Sequence, residues 1–203
     1  MKWSGTMTPI EIAGAGAAAF FLMDFVVRFG GEARRLDAAP SDRGTTRGTY
    51  LALIAILLAV FVLPRLLPPG ASPEPAPAIA WCGAALVPVG FAIRLWATLT
   101  LRHAYTRTLR IQPGQELMRR GPYRWVRHPG YLGSLTLWSG VALASGSPVA
   151  MAITAVALGI AYGRRIRHEE AMLTEAFGER YRDYRREVGA LIPRPAWRER
   201  RAR

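Results

Sequence analysis

The chain has little cysteine and little histidine: Cys82 is alone, and the three histidines are spread from His103 to His168. That set supports neither a disulfide framework nor a Cys-rich zinc pattern, and it leaves the redox compartment undetermined by thiols. Charge is missing from long stretches as well. From Pro129 to Gly163, 35 consecutive residues carry none, although the 203-residue chain has a formal net charge of +13. A polar surface spread evenly over a soluble domain is incompatible with that distribution.

What is present is a series of apolar runs of membrane-crossing length. Five transmembrane helices are expected, at 10–29, 49–67, 78–100, 130–145 and 147–163. The first contains Glu11, Asp24 and Arg28, and its small-residue core after Lys2 allows a cleaved signal peptide as the alternative. Pro64 is expected to bend or end the second. Between the second and third, PPGASPEPAPA from Pro68 to Ala78 has five prolines and reads as a short extended loop. The uncharged stretch from Pro129 would be roughly 52 Å long as one helix, against a hydrocarbon core of about 30 Å. Ser145 to Pro148, SGSP, is therefore read as a turn that folds it into two short antiparallel arms, Tyr131 to Ala144 and Val149 to Tyr162. The fold class expected is an all-α integral membrane protein forming a single membrane domain, its last two spans a short helical hairpin.

Charge placement orients these spans. Arg102 to Arg127 holds seven arginines and one glutamate, and Arg164 to Arg203 holds twelve arginines and seven acids. Five spans put both segments on one side, and the positive-inside bias makes that side cytoplasmic, with the N-terminus outside. A cytoplasmic loop at 101–129 and a cytoplasmic C-terminal helical segment at 164–195 follow. The apolar runs deny the arginines a soluble scaffold, so no nucleic acid partner is expected.

Chemistry is concentrated in these two polar segments. In GPYRWVRHPGYLG, Gly121 to Gly133, Pro129 suits the first turn of a helix and holds Arg127 and His128 at its N-terminal mouth. Free backbone N–H groups, the helix dipole and a guanidinium there could bind an anion. The plainer reading is that Arg, Trp and Tyr at such a depth are ordinary interfacial anchors. In the second segment, Arg165 and Glu169, Arg164 and His168, and Arg167 and Glu170 lie three or four residues apart, which on a helix puts each pair on adjacent faces. Surface pairing alone would account for such spacing. Gly178 is expected to break that helix, after which Tyr181, Tyr184 and Val188 fall on one side of an amphipathic piece.

At RLWATLTLRHAYTRTLRI from Arg94, at GPYRWVRHPGYLG, and at EEAMLTEAFGERYRDYRREVGALIP, the chain resembles the isoprenylcysteine carboxyl methyltransferase and phospholipid methyltransferase group of membrane enzymes. The resemblance covers Arg94 to Pro193. It implies methyl transfer from S-adenosyl-L-methionine to a lipid or lipid-modified small substrate entering from the bilayer, with no metal. Carried over, Arg127 and His128 fall near the cofactor's methionine carboxylate, Tyr131 in the pocket wall, and Arg167 and Glu170 among the cofactor contacts. Arg165 and Glu169 correspond to the catalytic arginine and glutamate near the transferred methyl, and Glu169 or Glu170 to the group holding the amino or ribose end. The 164–195 segment would cover the cofactor, and membrane lipids would surround the spans. Carboxylate O-methylation of an isoprenylcysteine-like substrate is the leading expectation. Phospholipid amine N-methylation comes next, then an NADPH-dependent sterol-type reductase, then a noncatalytic membrane partner. The oligomeric state is left open.

The chemistry needs no activated serine or cysteine, because displacement at a sulfonium methyl depends on alignment of donor and acceptor. A carboxylate acceptor calls for an arginine to position it, and an ammonium acceptor for a carboxylate to take its proton. Both residue types are present.

Overall fold

The computed structural model describes residues 7–29, 44–68, 76–101 and 116–194. Most of the proline-rich loop and the RHAYTRTLRI part of the 101–129 loop lie outside the described residues. Helix α1, Pro9–Phe29, starts at a reciprocal cap. The Thr8 N–H donates to Glu11 Oε2 at 2.7 Å and the Glu11 N–H to Thr8 Oγ1 at 3.4 Å, satisfying donors that the first turn leaves open. Helix α2, Thr45–Leu57, runs through a π turn at Leu58–Val62 into a last turn, α3, Leu63–Leu66. Pro64 explains the π turn: it has no N–H and its ring crowds the carbonyl one turn earlier, so the ladder widens just before it.

Helix α4 is Pro77–Leu101, and α5, Pro129–Ser145, ends at Gly146 with φ 65°. The Ser147 side chain accepts the Ala150 N–H at 3.2 Å and opens α6, Pro148–Phe177. Gly178, φ 55°, separates it from α7, Glu179–Glu187. The SGSP turn and the Gly178 break are thus both in place.

Two expectations need correction. Among the described residues four helices, not five, are long and apolar enough to cross a membrane by themselves: α1 over Pro9–Val26, Thr45–Leu66, α4 and α6. Helix α5 has 17 residues, about 25 Å, because Pro129 and Gly146 fix both its ends. Nor are the last two helices a pair of equally short arms. Helix α6 has 30 residues and passes Gly163 without a break into the charged segment. Arg, Glu, Ala, Met and Leu are all good helix formers, so leaving the apolar run does not end the helix.

The helices pack as an all-α bundle around Ala13, Ala17 and Phe20 of α1, Ile56 of α2, Val87 of α4, Leu137, Trp138 and Val141 of α5, and Leu158 of α6. Phe20 meets Trp138 edge to face at 5.4 Å. Outward, Leu22, Leu51, Ile54, Val89, Trp96, Leu99, Val156 and Ile160 are exposed, a surface suited to lipid.

The pair α4 and α5 is the most extensive helix contact. Its backbones approach so closely that a Cβ added at Gly90 would lie 2.3 Å from Leu137 N, and one at Gly83 2.4 Å from Ala144 N. That closeness brings Arg94 onto the start of α5, where its Nη1 donates to Ser134 Oγ at 2.8 Å and to Gly130 O at 3.2 Å. The guanidinium also lies 4.8 Å from the Phe20 ring centre.

Candidate functional site

The polar end of α5 is built by docking two distant pieces of chain. Residues 126–128 pair in parallel with residues 189–190: the Arg127 N–H donates to Gly189 O at 2.8 Å and the His128 N–H to Ala190 O at 3.0 Å. The Tyr184 hydroxyl donates to Tyr123 O at 2.5 Å. Tyr181, Tyr184 and Val188 form a small second core with Leu117, Leu173 and Phe177. Helix α7 is therefore folded over the RHP segment.

Beneath that cover, Arg127 holds Glu170. Its Nε and Nη2 donate to Glu170 Oε1 at 3.1 and 2.6 Å, while Nη1 donates to Arg185 O at 3.1 Å and to Val188 O. Arg185 approaches the other carboxylate oxygen of Glu170 at 3.4 Å. His128 Nε2 is 3.3 Å from Glu170 Oε1 and its Nδ1 3.8 Å from Glu169 Oε2. Arg127 is a buried fork joining α6 to the C-terminal segment, a geometry that guanidinium allows and a lysine would not.

A second set of contacts runs from Glu169 to α2. The Tyr131 hydroxyl donates to Glu169 Oε2 at 2.6 Å and accepts from Arg165 Nε at 2.8 Å. Arg165 Nη1 donates to Thr46 Oγ1 at 2.8 Å and lies 3.5 Å from Thr45 Oγ1. The Tyr131 ring is stacked between His128 and Tyr162, with centroids 5.6 and 5.3 Å away. Arg127, His128 and Arg165 are 9%, 4% and 7% exposed.

The fold thus brings together six residues singled out from sequence: Arg127, His128, Tyr131, Arg165, Glu169 and Glu170. Arg167 is not among them. It is exposed on another side of α6 and has no ion pair among the described residues, the spacing to Glu170 notwithstanding, because Arg127 and Arg185 take that carboxylate. Thr45, Thr46 and Tyr162 join the cluster without any motif announcing them. Residues 189–190 join through backbone atoms, which leave no side-chain signal.

The phospholipid methyltransferase family model matches residues 78–180, half of the chain. The chain belongs to this family. A probable protein-S-isoprenylcysteine O-methyltransferase of Oryza sativa subsp. indica is 30% identical over 117 residues, which are 57% of this chain and 61% of that protein. A methanethiol S-methyltransferase of Mycobacterium tuberculosis is 38% identical over 73 residues, 36% of this chain and 29% of that protein. The chain thus matches about three-fifths or less of these curated relatives. The structure of a eukaryotic intramembrane Ras methyltransferase, an isoprenylcysteine carboxyl methyltransferase, superposes with a TM-score of 0.64 at 23% identity, covering 91% of this chain and 67% of that one. The fold is that of an integral, multi-pass membrane protein.

The family implies S-adenosyl-L-methionine as cofactor, and the site's donor set fits such a molecule. The Tyr181 hydroxyl is buried without a hydrogen-bond partner among the described residues. Burial raises its pKa, and the charge of Glu170 raises it further, so a neutral donor stands close to the Arg127–Glu170 pair. Leu132 is the first residue of α5 whose N–H bonds back, to His128 O at 3.0 Å, so the Gly130 and Tyr131 N–H groups point out of the helix end. Carboxylates for an ammonium or a sugar diol, and N–H and hydroxyl donors for a carboxylate, are therefore present together. Among the described residues no group of His, Cys, Asp or Glu is arranged to hold a metal ion.

Proposed function

We propose that the chain is an S-adenosyl-L-methionine-dependent methyltransferase that esterifies the carboxylate of a lipid-modified, isoprenylcysteine-like acceptor. The observation that carries this reading is the buried Arg165 guanidinium, fixed by Tyr131 and Thr46 next to Glu169 at the end of an apolar bundle. The positive charge of a guanidinium so placed would orient an acceptor carboxylate without protonating it. When bound, the cofactor supplies an electrophilic methyl on a sulfonium sulfur. The α5 N–H groups and His128 would hold its carboxylate, Glu169 its ammonium, and Glu170 with Tyr181 its ribose hydroxyls. Arg127 keeps Glu170 and the C-terminal cover in place, and α7 excludes water from the site.

The names of the relatives and of the superposed structure support this acceptor class, and the His128–Glu169 approach argues against two polar clusters serving separate partners. The excess of arginine in 102–127 and 164–203 supports a cytoplasmic site, with α5 as a fifth, short crossing. The acceptor would reach Arg165 laterally from the bilayer.

An amine acceptor is the second reading, favoured by the Glu169 carboxylate, whose side chain is 26% exposed and which could take an ammonium proton. The test is equilibrium binding of S-adenosyl-L-methionine and of NADPH to the detergent-solubilised chain, followed by turnover with an N-acetylated S-prenylcysteine. Saturable binding of the first ligand and a base-labile methyl ester are expected. A base-stable methyl on an aminophospholipid would move the assignment to amine methylation, and NADPH binding alone would end the methyltransferase reading.

A further inference from the structure

We infer that Tyr162, in the uncharged part of α6, is the positioning residue that holds the Tyr131 hydroxyl in line between Arg165 and Glu169. It lies in the apolar run before Gly163, where no motif marks it. The inference deepens the function proposed above and rests on Arg165 serving the acceptor and Glu169 the cofactor.

Tyr162, Arg165 and Glu169 follow one another at spacings of three and four residues, which puts all three on one face of α6. Tyr131 comes to that face from the first turn of α5. Its ring lies against the Tyr162 ring with centroids 5.3 Å apart and planes 30° from parallel, and against the His128 ring at 5.6 Å and 28°. Both separations suit offset stacking. Tyr162 and His128 are buried, so the column His128–Tyr131–Tyr162 runs from the polar end of α5 into the core that α5 shares with α6.

The stack decides where the hydroxyl goes. A tyrosine ring turns about two side-chain torsions with its oxygen at the far end of the lever, so a tilt of the ring displaces the oxygen more than any other atom. Here that oxygen meets two conditions at once, 2.8 Å from Arg165 Nε and 2.6 Å from Glu169 Oε2. Hydrogen bonds weaken as distance and angle depart from such values, so both contacts depend on the ring being held flat. Tyr162 supplies the flat support from the helix that carries both charges, and support and charges therefore move as one body. A leucine in its place fills part of the volume but presents no plane, and Tyr131 gains room to tilt.

The test uses the full chain in detergent. Its first readout is the Tyr131 hydroxyl proton in 13C-tyrosine-labelled protein, identified by its loss in Tyr131→Phe. The wild type should show that proton in slow exchange with water, Tyr162→Phe should retain it, and Tyr162→Leu should lose it. The second readout is turnover on the prenylcysteine acceptor in a double-mutant cycle. Tyr162→Leu should lower kcat about tenfold in the wild-type background, as expected when hydrogen bonds to charged groups are weakened, and by no more than about twofold in the Tyr131→Phe background. Tyr162→Phe, which keeps the ring, should keep most of the wild-type kcat. A slowly exchanging hydroxyl proton in Tyr162→Leu would overturn the inference, and so would an equal fall of kcat in both backgrounds, the mark of a general packing defect. If Tyr162→Leu does not fold, Tyr162→Met carries the same expectations, and fast exchange of the Tyr131 hydroxyl proton in the wild type would overturn the inference without any variant. A wild-type chain that binds no S-adenosyl-L-methionine would instead sink the methyltransferase reading, and the Tyr131 signal would still decide the stack.

Discussion

The Tyr131 hydroxyl joins Arg165 to Glu169, accepting from the guanidinium at 2.8 Å and donating to the carboxylate at 2.6 Å. Two opposite charges on one face of α6 are thereby held apart and aimed by a neutral group on α5, instead of collapsing onto each other. On the function proposed above, Arg165 would serve the acceptor and Glu169 the cofactor.

Tyr131→Phe tests that arrangement with minimal change in shape. The stack with His128 and Tyr162 keeps its ring, while Arg165 and Glu169 each lose a partner. A hydrogen bond to a charged group contributes about 1.5–3 kcal/mol, so turnover should fall roughly ten- to hundredfold. Steady-state rates on the prenylcysteine acceptor check this, measured below the lowered melting midpoint that the two lost hydrogen bonds imply. Wild-type turnover in the phenylalanine variant would show that the hydroxyl has no part in the reaction.

Arg127 has a different role, and its replacement should show it. Arg127→Ala leaves Glu170 beside His128 and Arg185 without its fork and frees the carbonyls of Arg185 and Val188. Breaking a buried ion pair costs about 3–5 kcal/mol, enough to release the α7 cover before the bundle melts. Hydrogen exchange should quicken over residues 181–190 while α4 and α5 remain protected, and S-adenosyl-L-methionine binding should weaken in step. Arg127→Lys should not restore either, since an ammonium lacks the planar fork. Protection of 181–190 at the wild-type level in Arg127→Ala would contradict the bracing role.

The contrast between these residues explains how far the sequence could be read. Arg127, His128, Glu169 and Glu170 stand out because charged side chains at the edge of apolar runs are unusual, and helical spacing alone places Arg165 and Glu169 on one face. Arg167 misleads for the same reason: its spacing to Glu170 is right, but a partner from another element wins the carboxylate. The length of α6 was hidden because the boundary of the apolar run, at Gly163, is a property of solvent, whereas the helix ends where Gly178 permits a positive φ. Thr46 was invisible because its contact spans 119 positions and threonine is an ordinary residue at a helix start. The pairing of residues 126–128 with 189–190 uses backbone atoms, on which side-chain patterns are silent.

Close approach of α4 to α5 is the scaffold beneath the site, and Gly90 is its narrowest point. Gly90→Val places a branched side chain where a Cβ already falls 2.3 Å from Leu137 N and 2.6 Å from Gly133 O. Backbone cannot yield as a flexible side chain would, so the helices must separate, at a cost of about 1–3 kcal/mol or more. The variant should give a lower melting temperature and a smaller folded yield in detergent. By contrast, Gly159→Ala adds a methyl to open space on α6 and should leave melting unchanged or slightly raised. Equal behaviour of the two variants would show that the α4–α5 contact does not limit packing.

The cover over the site should be sensitive to alkali. Burial pushes the Tyr181 and Tyr184 hydroxyls well above the ordinary tyrosine value near 10, and the positive charges of Arg127 and Arg119 only partly offset it for Tyr184. With the folded pKa raised above the unfolded one, the folded state keeps protons that the unfolded state has released. Stability from these two groups is therefore complete below pH 10 and declines as pH rises beyond it. Melting followed from pH 9 to pH 11.5 should show a falling midpoint. In the Tyr181→Phe, Tyr184→Phe double variant that fall should be shallower, although the variant starts lower at pH 9 because the bond from Tyr184 to Tyr123 O is gone. Hydrogen exchange over residues 181–190 would locate the loss: opening of α7 at alkaline pH ahead of the bundle assigns the effect to the cover, and an unchanged slope in the double variant would assign it elsewhere.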